Sequence, residues 1–103
     1  TKTSPYGRNP AEAGMPIRAC ELLAGLEGPV FIERCAVDCV KNVLKAKKAI
    51  RKALENQIAG RGYSFVEVLA MCPTNWDLSA PQAAQWVRDT MIPYYPLANF
   101  RDR

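Results

Sequence analysis

One apolar run constrains the fold of this chain more than any other feature. It covers residues 65–71, is rich in β-branched and aromatic side chains, and lies between Gly62 and Pro73. Such a run predicts a strand that is covered on both faces, as the strands of parallel sheets are. Because Pro73 has no backbone N–H, the strand should end before it. Cys72 then lies at the carboxyl end of a strand, where open α/β sheets usually bind ligands.

A second strand and a long helix precede this run. Residues 29–35 form a short stretch of β-branched and aromatic character, which predicts a strand. Asp38 is a candidate N-cap for a helix that begins at Cys39 or Val40 and ends near Ala59. Gly60 and Gly62 follow it. The order strand, helix, strand predicts a parallel pair with a right-handed crossover.

The long helix has two faces of different chemistry. Apolar side chains at helical spacing, together with the Lys47 stem, predict the face that packs on the sheet. They include Val40, Val43, Leu44, Ile50, Leu54 and Ile58, with Gln57 beside them. The opposite face carries Lys41, Lys45, Lys48, Arg51, Lys52 and Glu55. We favour a solvated surface for it; the alternatives are binding to an acidic protein, to coenzyme A phosphates or to nucleic acid.

The remaining segments are shorter. Residues 17–26, after Pro16, predict a short helix, and Ser79 is expected to cap a last helix over residues 81–91 that Pro93 ends. The inward side chains of that last helix should be Ala83, Ala84, Trp86, Val87 and Met91. Residues 1–15 predict an extended lead-in, and residues 92–103 predict an extended aromatic tail.

The predicted sheet is too small for the predicted helices. Two parallel strands have two open edges and cannot cover the apolar faces of three helices. A chain of 103 residues has room for one layered unit at most. The sequence therefore predicts the C-terminal part of a larger α/β domain, or an obligate partner in one.

Composition excludes several classes of protein. The chain has no histidine, which argues against a hydrolase that pairs a Ser or Cys nucleophile with its own general base. Its formal charge of +4 favours acidic partners in general and identifies none. No apolar run reaches the roughly 20 residues that span a bilayer, and residues 1–10 do not resemble a signal peptide. We expect a soluble, cytoplasmic protein with no membrane partner.

Four cysteines stand at positions 20, 35, 39 and 72. Without an export signal, free thiols are expected rather than a disulfide framework. Cys35 and Cys39 form a C-x3-C pair, for which a metal site with Cys20 or Cys72 is one interpretation. Packing is the preferred interpretation, because no second close pair is present. Cys72 taken alone fits a small buried hydrophobe as well as a reactive thiol.

Several segments together resemble a known enzyme subunit. They are residues 3–8 (TSPYGR), the helix and strand up to Arg34, and residues 45–50 (KAKKAI), 63–69 (YSFVEVL), 72–76 (CPTNW) and 92–97 (IPYYPL). The chain resembles the C-terminal half of the β subunit of 2-oxoacid:ferredoxin oxidoreductases, of the 2-oxoglutarate or branched-chain 2-oxoacid type. The likeness covers nearly the whole chain, and CPTNW is its most specific part.

This resemblance implies a fold and a reaction. The fold would be part of a thiamine-diphosphate-binding α/β domain, a parallel sheet with helices on its faces, with residues 1–103 as its C-terminal part. The reaction would be the oxidative decarboxylation of a 2-oxoacid with coenzyme A, and electrons would pass through iron-sulfur clusters to ferredoxin. The implied partners are the rest of the β subunit, an α subunit, with γ and δ subunits as further candidates, and ferredoxin.

The resemblance assigns one functional residue. Cys72 matches one of the four cysteines that hold a 4Fe-4S cluster in this family, and the other three belong to the half that this chain lacks. The Gly-Asp-Gly segment that binds thiamine diphosphate is also absent from the sequence. The resemblance therefore implies that thiamine diphosphate and the cluster belong to the complete enzyme, and that the chain alone binds neither and is inactive.

A second hypothesis from another class is a stand-alone interaction module. Its basic helix and aromatic tail would bind an acidic partner. Tyr94, Tyr95 and Phe100, with Trp76 and Trp86, would then be a free surface. We favour contacts of these rings with other parts of the domain or with another subunit. The aromatic residues are not interleaved with the basic ones, which argues against nucleic acid as the partner.

Overall fold

The computed structural model of the protein describes Thr1 and residues 4–103. Its elements are α1 (Pro10–Ala13), α2 (Ala19–Leu23), β1 (Phe31–Ala36), α3 (Val40–Ile58), β2 (Ser64–Leu69), α4 (Pro73–Trp76), α5 (Ala80–Trp86), α6 (Ile92–Tyr94) and β3 (Ala98–Asp102). A π-helical turn, Val87–Met91, joins α5 to α6. The predicted α/β class is confirmed.

The sheet has three strands in the order β2-β1-β3. β1 and β2 are parallel, with Phe31 opposite Ser64 and Ala36 opposite Leu69, and α3 connects them. The predicted strand-helix-strand unit is therefore confirmed. The expectation that β2 is covered on both faces was wrong, because only Leu69 of this strand is buried and Val68 is exposed. β3 is antiparallel to β1, with a bulge between Ile32 and Glu33. The expectation of an all-parallel sheet was wrong, because the tail returns along the second edge of β1 and pairs there.

Side chains of β1 alternate between two cores. Phe31 and Cys35 pack with Ala46 and Ala49 of α3 on one face of the sheet. On the other face Ala36 packs with residues of β2 and of the π-helical turn. The second core is formed by Ala36, Leu69 and Val87, with Met71, Trp76, Met91, Ile92, Tyr95 and Leu97 around them. Because successive side chains of a strand point to opposite faces, one short strand anchors both layers.

The prediction for the packed face of α3 was wrong. The helix is buried through Ala46, Ala49 and Asn56, and the apolar residues expected to face the sheet are exposed. Their exposed fractions are Val40 77%, Val43 43%, Leu44 60%, Ile50 45%, Leu54 60% and Ile58 87%. The physical reason is the short distance between helix and sheet. Small alanine side chains let the backbone of α3 approach β1 closely, whereas larger side chains would keep the two apart.

The predicted N-cap of α3 was also wrong. Cys39 occupies the N-cap position and makes no side-chain capping hydrogen bond. The Asp38 carboxylate is engaged elsewhere, since its Oδ1 accepts from Asn42 Nδ2 at 2.7 Å. It also forms an ion pair with Arg88 at 3.3 Å. The Asp38 carboxylate therefore pairs with Arg88, which is distant in sequence, and does not cap the first turn of α3.

The last helical segment begins as expected and ends differently. Ser79 Oγ accepts from Gln82 N, and Gln82 Oε1 accepts from Ser79 N, which completes a capping box. Ala83, Ala84 and Val87 are buried as predicted, whereas Trp86 is 47% exposed. Pro93 does not end the helix but lies in the first turn of α6. The Val87–Met91 turn before it is π-helical, so the hydrogen-bond register changes just before Pro93, which has no backbone N–H to donate.

The two terminal segments contain more structure than an extended chain. Of residues 1–15, residues 2 and 3 lie outside the described part, and α1 forms one helical turn capped by the Asn9 side chain. In the tail, α6 precedes β3. Across the described residues, no helix combines the length and apolar character that crossing a membrane requires.

Candidate functional site

The carboxyl ends of β1 and β2 meet at one edge of the sheet. The backbone N–H of Val37 donates to the carbonyl of Leu69 at 3.1 Å, which ties together the two segments that follow these strands. Asp38 and Cys39 come next on the first segment, and Cys72 follows on the second. This edge is where ligands bind in open α/β sheets, as the sequence predicted for Cys72.

A buried carboxylate is the main charged group at this edge. The Asp38 side chain is only 1% exposed, and the side chain of its ionic partner Arg88 is 44% exposed. The contact between Arg88 Nε and Asp38 Oδ2 is an ion pair without hydrogen-bond geometry, since no donor within the described residues hydrogen-bonds to Oδ2. The pair joins the start of α3 to the π-helical turn.

Cys72 is exposed and directly precedes α4. Its carbonyl accepts from the Trp76 amide at 3.0 Å, which closes the turn. Thr74 and Asn75, which follow it, belong to α4. Among the described residues, no three His, Cys, Asp or Glu side chains are grouped so that they could hold a metal ion. The assignment of Cys72 as a cluster ligand stays a prediction.

The other thiols differ in their surroundings. Cys20 and Cys35 are buried, Cys39 is exposed, and all four cysteines are free. Burial is the main reason that the pKa of the Cys20 thiol is raised to about 12, and the nearby Glu67 adds to this. Burial likewise raises the pKa of Cys35 to about 12, with Glu33 contributing. Cys20 contacts the Arg34 network and Cys35 the α3 core, so the sheet separates them.

A groove of about 590 Å³ lies between α3 and β3. Lys45, Lys48 and Lys52 line one wall, and Asn99 and Asp102 belong to the other. Phe31, Cys35 and Ala49 contribute apolar surface between the walls. The Glu33 carboxylate in this groove accepts from Asn99 Nδ2 at 3.0 Å. Part of the predicted basic surface therefore faces a groove beside the sheet, not open solvent alone.

The most connected charged group is one that the sequence interpretation missed. Arg34 lies in the middle of β1, and its side chain is fully buried. It donates two hydrogen bonds of 2.7 Å to Glu21, one of 3.1 Å to Glu67 and one of 3.2 Å to the Pro96 carbonyl. The available signal was an arginine in the middle of a short strand that begins and ends with apolar residues, since a buried charge requires partners.

Aromatic rings of the tail complete this network. The Cζ atom of Arg34 lies 5.3 Å from the ring centroids of both Tyr95 and Phe100. Arg18 lies 4.1 Å from the centroid of Tyr94 and donates to its carbonyl at 3.0 Å. These rings therefore make contacts inside the chain and do not form a free aromatic belt. The interaction-module hypothesis loses that part of its basis.

Comparison with known proteins gives a strong match over every residue. The chain is 48% identical over 103 residues to the ketoisovalerate oxidoreductase subunit VorA of Methanothermobacter marburgensis (strain Marburg). It matches the same subunit of Methanothermobacter thermautotrophicus (strain Delta H) at the same identity over the same length. The chain is similar to VorA along its whole length. It spans 22% of the length of each of these curated relatives.

The VorA match limits what the resemblance supports. Ketoisovalerate is a branched-chain 2-oxoacid, so the relatives' name agrees with a 2-oxoacid oxidoreductase. The name designates the subunit as VorA and does not confirm the assignment to a β subunit. No protein-family model matches the chain. No solved structure matches it either, so the thiamine-type fold stays a prediction.

Proposed function

We propose that the chain is a segment of a ketoisovalerate-type 2-oxoacid:ferredoxin oxidoreductase. The observation that carries this proposal is 48% identity to VorA over all 103 residues. Because the match includes every residue of this chain, it supports the same fold as the matching part of VorA and the same position within a VorA-like subunit. The proposed reaction is the coenzyme A-dependent oxidative decarboxylation of a branched-chain 2-oxoacid, with ferredoxin as electron acceptor.

The role of the segment is to build one part of the catalytic subunit. The carboxyl edge of its sheet presents Cys72 at the surface, which suits a thiolate that other parts of the protein must reach. The described residues offer the cluster this exposed thiol beside Pro73 and no complete site. A bound 4Fe-4S cluster would supply one-electron transfer, and thiamine diphosphate would supply the electron sink for decarboxylation.

The partners in this proposal are the rest of the VorA-like subunit, its companion subunits and ferredoxin. The chain spans only 22% of the length of its relatives, so the remaining three cluster ligands and the thiamine site are assigned to the rest of the assembly. Coenzyme A and the 2-oxoacid are its substrates. No residue of this segment is assigned to recognition of the substrate side chain.

The activity is tested on the complete subunit in its purified complex. We expect reduction of ferredoxin that depends on both ketoisovalerate and coenzyme A. Pyruvate and 2-oxoglutarate, tested in parallel, should be slower substrates than ketoisovalerate. A complex that reduces ferredoxin with none of these 2-oxoacids would refute the proposed function.

The role of Cys72 is tested by Cys72→Ala in the same complex. We expect loss of one 4Fe-4S cluster, measured as iron content and by EPR spectroscopy of the reduced protein. Cys39→Ala is the matched control, because Cys39 is also an exposed thiol near the carboxyl edge. Equal iron content in the two variants and the unmodified complex would sink the assignment of Cys72.

A further inference from the structure

The two edges of the sheet differ in chemistry. In the described part of the chain, β2 pairs with β1 alone, so the backbone groups on its other edge have no strand partner. Its sequence, SFVEVL, contains one charged residue, Glu67, whose carboxylate accepts a hydrogen bond from Arg34. An apolar edge strand without outward charges is a template for pairing with another strand.

The edge at β3 is protected. Its sequence, ANFRD, includes Arg101 and Asp102. The Arg101 guanidinium donates to the carbonyls of Ala24, Leu26 and Pro29 at 2.6–3.0 Å, which holds the segment before β1 against this strand. Charged side chains on an edge strand are one of the features by which native sheets discourage further pairing. The edge at β3 thus carries charged residues, whereas the edge at β2 is apolar and unpaired. We call the β2 edge the unfinished edge.

The exposed apolar residues of α3 lie on the side of the unfinished edge. We call Val40, Val43, Leu44, Ile50, Leu54 and Ile58 the apolar flank. At about 100° per residue they are centred roughly 140° around the helix from the buried alanines. Lys45, Lys48 and Lys52 lie on the opposite flank and line the groove beside β3. Because one flank of α3 faces β3, the apolar flank faces outward past β2.

Exposure along the apolar flank agrees with this placement. Val43 and Ile50, which are nearest to the sheet by helical angle, are the least exposed at 43% and 45%. The other four members lie farther round and are more exposed: Leu54 60%, Ile58 87%, Val40 77% and Leu44 60%. The unpaired edge of β2 and the uncovered flank of α3 thus form one continuous surface. It offers backbone hydrogen-bonding groups below and apolar side chains above.

We propose that a further strand pairs with the free edge of β2 and that a helix joined to it packs on the apolar flank of α3. A single strand-helix unit satisfies both surfaces at once, whereas a lone helix would leave the edge unpaired. This inference rests on the proposed function, which makes the chain a segment of a longer VorA-like polypeptide. Most of each relative's length lies outside the matched 22%, so the same polypeptide has ample length to supply the unit.

A second copy of this chain is a poorer occupant. The sequence of α3 contains six basic residues, Lys41, Lys45, Lys47, Lys48, Arg51 and Lys52, and one acidic residue, Glu55. By helical angle, Lys47 and Arg51 lie within the apolar flank itself. Packing two copies of α3 against each other would place like charges side by side with little acidic compensation, and such contacts are repulsive.

The test uses the complete subunit in its complex and compares two flanks of α3. Leu54→Cys places a thiol on the apolar flank, and Lys48→Cys places a matched thiol on the groove flank; both positions are exposed in this chain. Labelling with a maleimide is followed at each site by peptide mass spectrometry. We expect the Leu54→Cys thiol to react at least about tenfold more slowly than the Lys48→Cys thiol. Equal rates, or protection of both thiols, would overturn the one-sided assignment.

Two further measurements need no variant. Hydrogen exchange of the unmodified complex should show protection of those β2 amides that do not pair with β1. Fast exchange of these outer-edge amides would contradict the added strand. Amine cross-linking should connect Lys47 to residues outside this segment of the same polypeptide. Links between Lys47 residues of two isotopically distinct copies would identify a second copy and overturn the proposal. A complex that lacks oxidoreductase activity while the Leu54→Cys thiol stays protected would refute the proposed function alone.

Discussion

Replacing Arg34 should be the most destabilising single change in this chain. Arg34→Ala removes two hydrogen bonds to Glu21, one to Glu67 and one to the Pro96 carbonyl. Removal of one partner from a buried ion pair costs about 3–5 kcal/mol, because the other charge stays buried without compensation. The Glu21 side chain is 36% exposed and is rehydrated, whereas that of Glu67 is 22% exposed. We therefore expect about 3 kcal/mol, the lower end of that range.

The assay is thermal and denaturant unfolding of the variant against a matched control. Arg51→Ala removes an exposed ion pair with Glu55, whose side chains are 82% and 55% exposed, and should cost less than about 0.5 kcal/mol. For a chain of this size each kcal/mol lowers Tm by about 4–8 °C, so Arg34→Ala should unfold more than about 10 °C below the control. Equal unfolding temperatures would refute the reasoning that Arg34 is the buried centre of the fold.

The same network predicts how stability depends on pH. The hydrogen bond from Arg34 is the main reason that the pKa of Glu21 is lowered from its ordinary value of 4.5. A group whose pKa is lower in the folded state contributes stability above its unfolded pKa, and that contribution is lost as pH falls through the folded pKa. Unfolding experiments between neutral pH and pH 3 should therefore show a loss below about pH 4.5 that is smaller in Arg34→Ala.

Two further predictions concern the thiols and the carboxyl edge. In the native chain at pH 8, a thiol reagent should modify two cysteines quickly and leave Cys20 and Cys35 slow, because burial raises the pKa of both to about 12. Four equally fast thiols would contradict this. Arg88→Ala should destabilise the chain by about 1–3 kcal/mol, because the Asp38 carboxylate is left buried without its ion-pair partner. Asp38→Asn in the Arg88→Ala background should recover part of that loss in the same unfolding assay, and no recovery would argue against a charge effect.

Local features of the sequence were sufficient to predict the central unit. The β-branched run of β2, the helix that precedes it and the Ser79 N-cap each depend on neighbouring residues, and each is present. β3 was missed because its pairing with β1 joins distant residues and its short polar sequence gives little strand signal. A local pattern cannot show where a returning segment will pair.

The errors on α3 and Arg34 have a different cause. The apolar flank has a clear helical period, but Ala46 and Ala49 are the residues that meet the sheet. Periodicity identifies an apolar surface and does not say which neighbour covers it. Arg34 needed partners from α2, β2 and the segment before β3, which only the tertiary structure brings together. Cys72 was placed correctly at the carboxyl edge, while its role as a cluster ligand stays a prediction.

The antiparallel strand β3 also has a consequence for the order of folding. Its contacts with β1 join residues such as Arg34 and Ala98, which are far apart in sequence. Closing so long a loop is entropically slow compared with forming α3 and the β1–β2 pair. During synthesis the second edge of β1 therefore stays unpaired until the residues of β3 have left the ribosome. β1, the central strand of the sheet, therefore gains its second neighbour only at the end of synthesis of this segment.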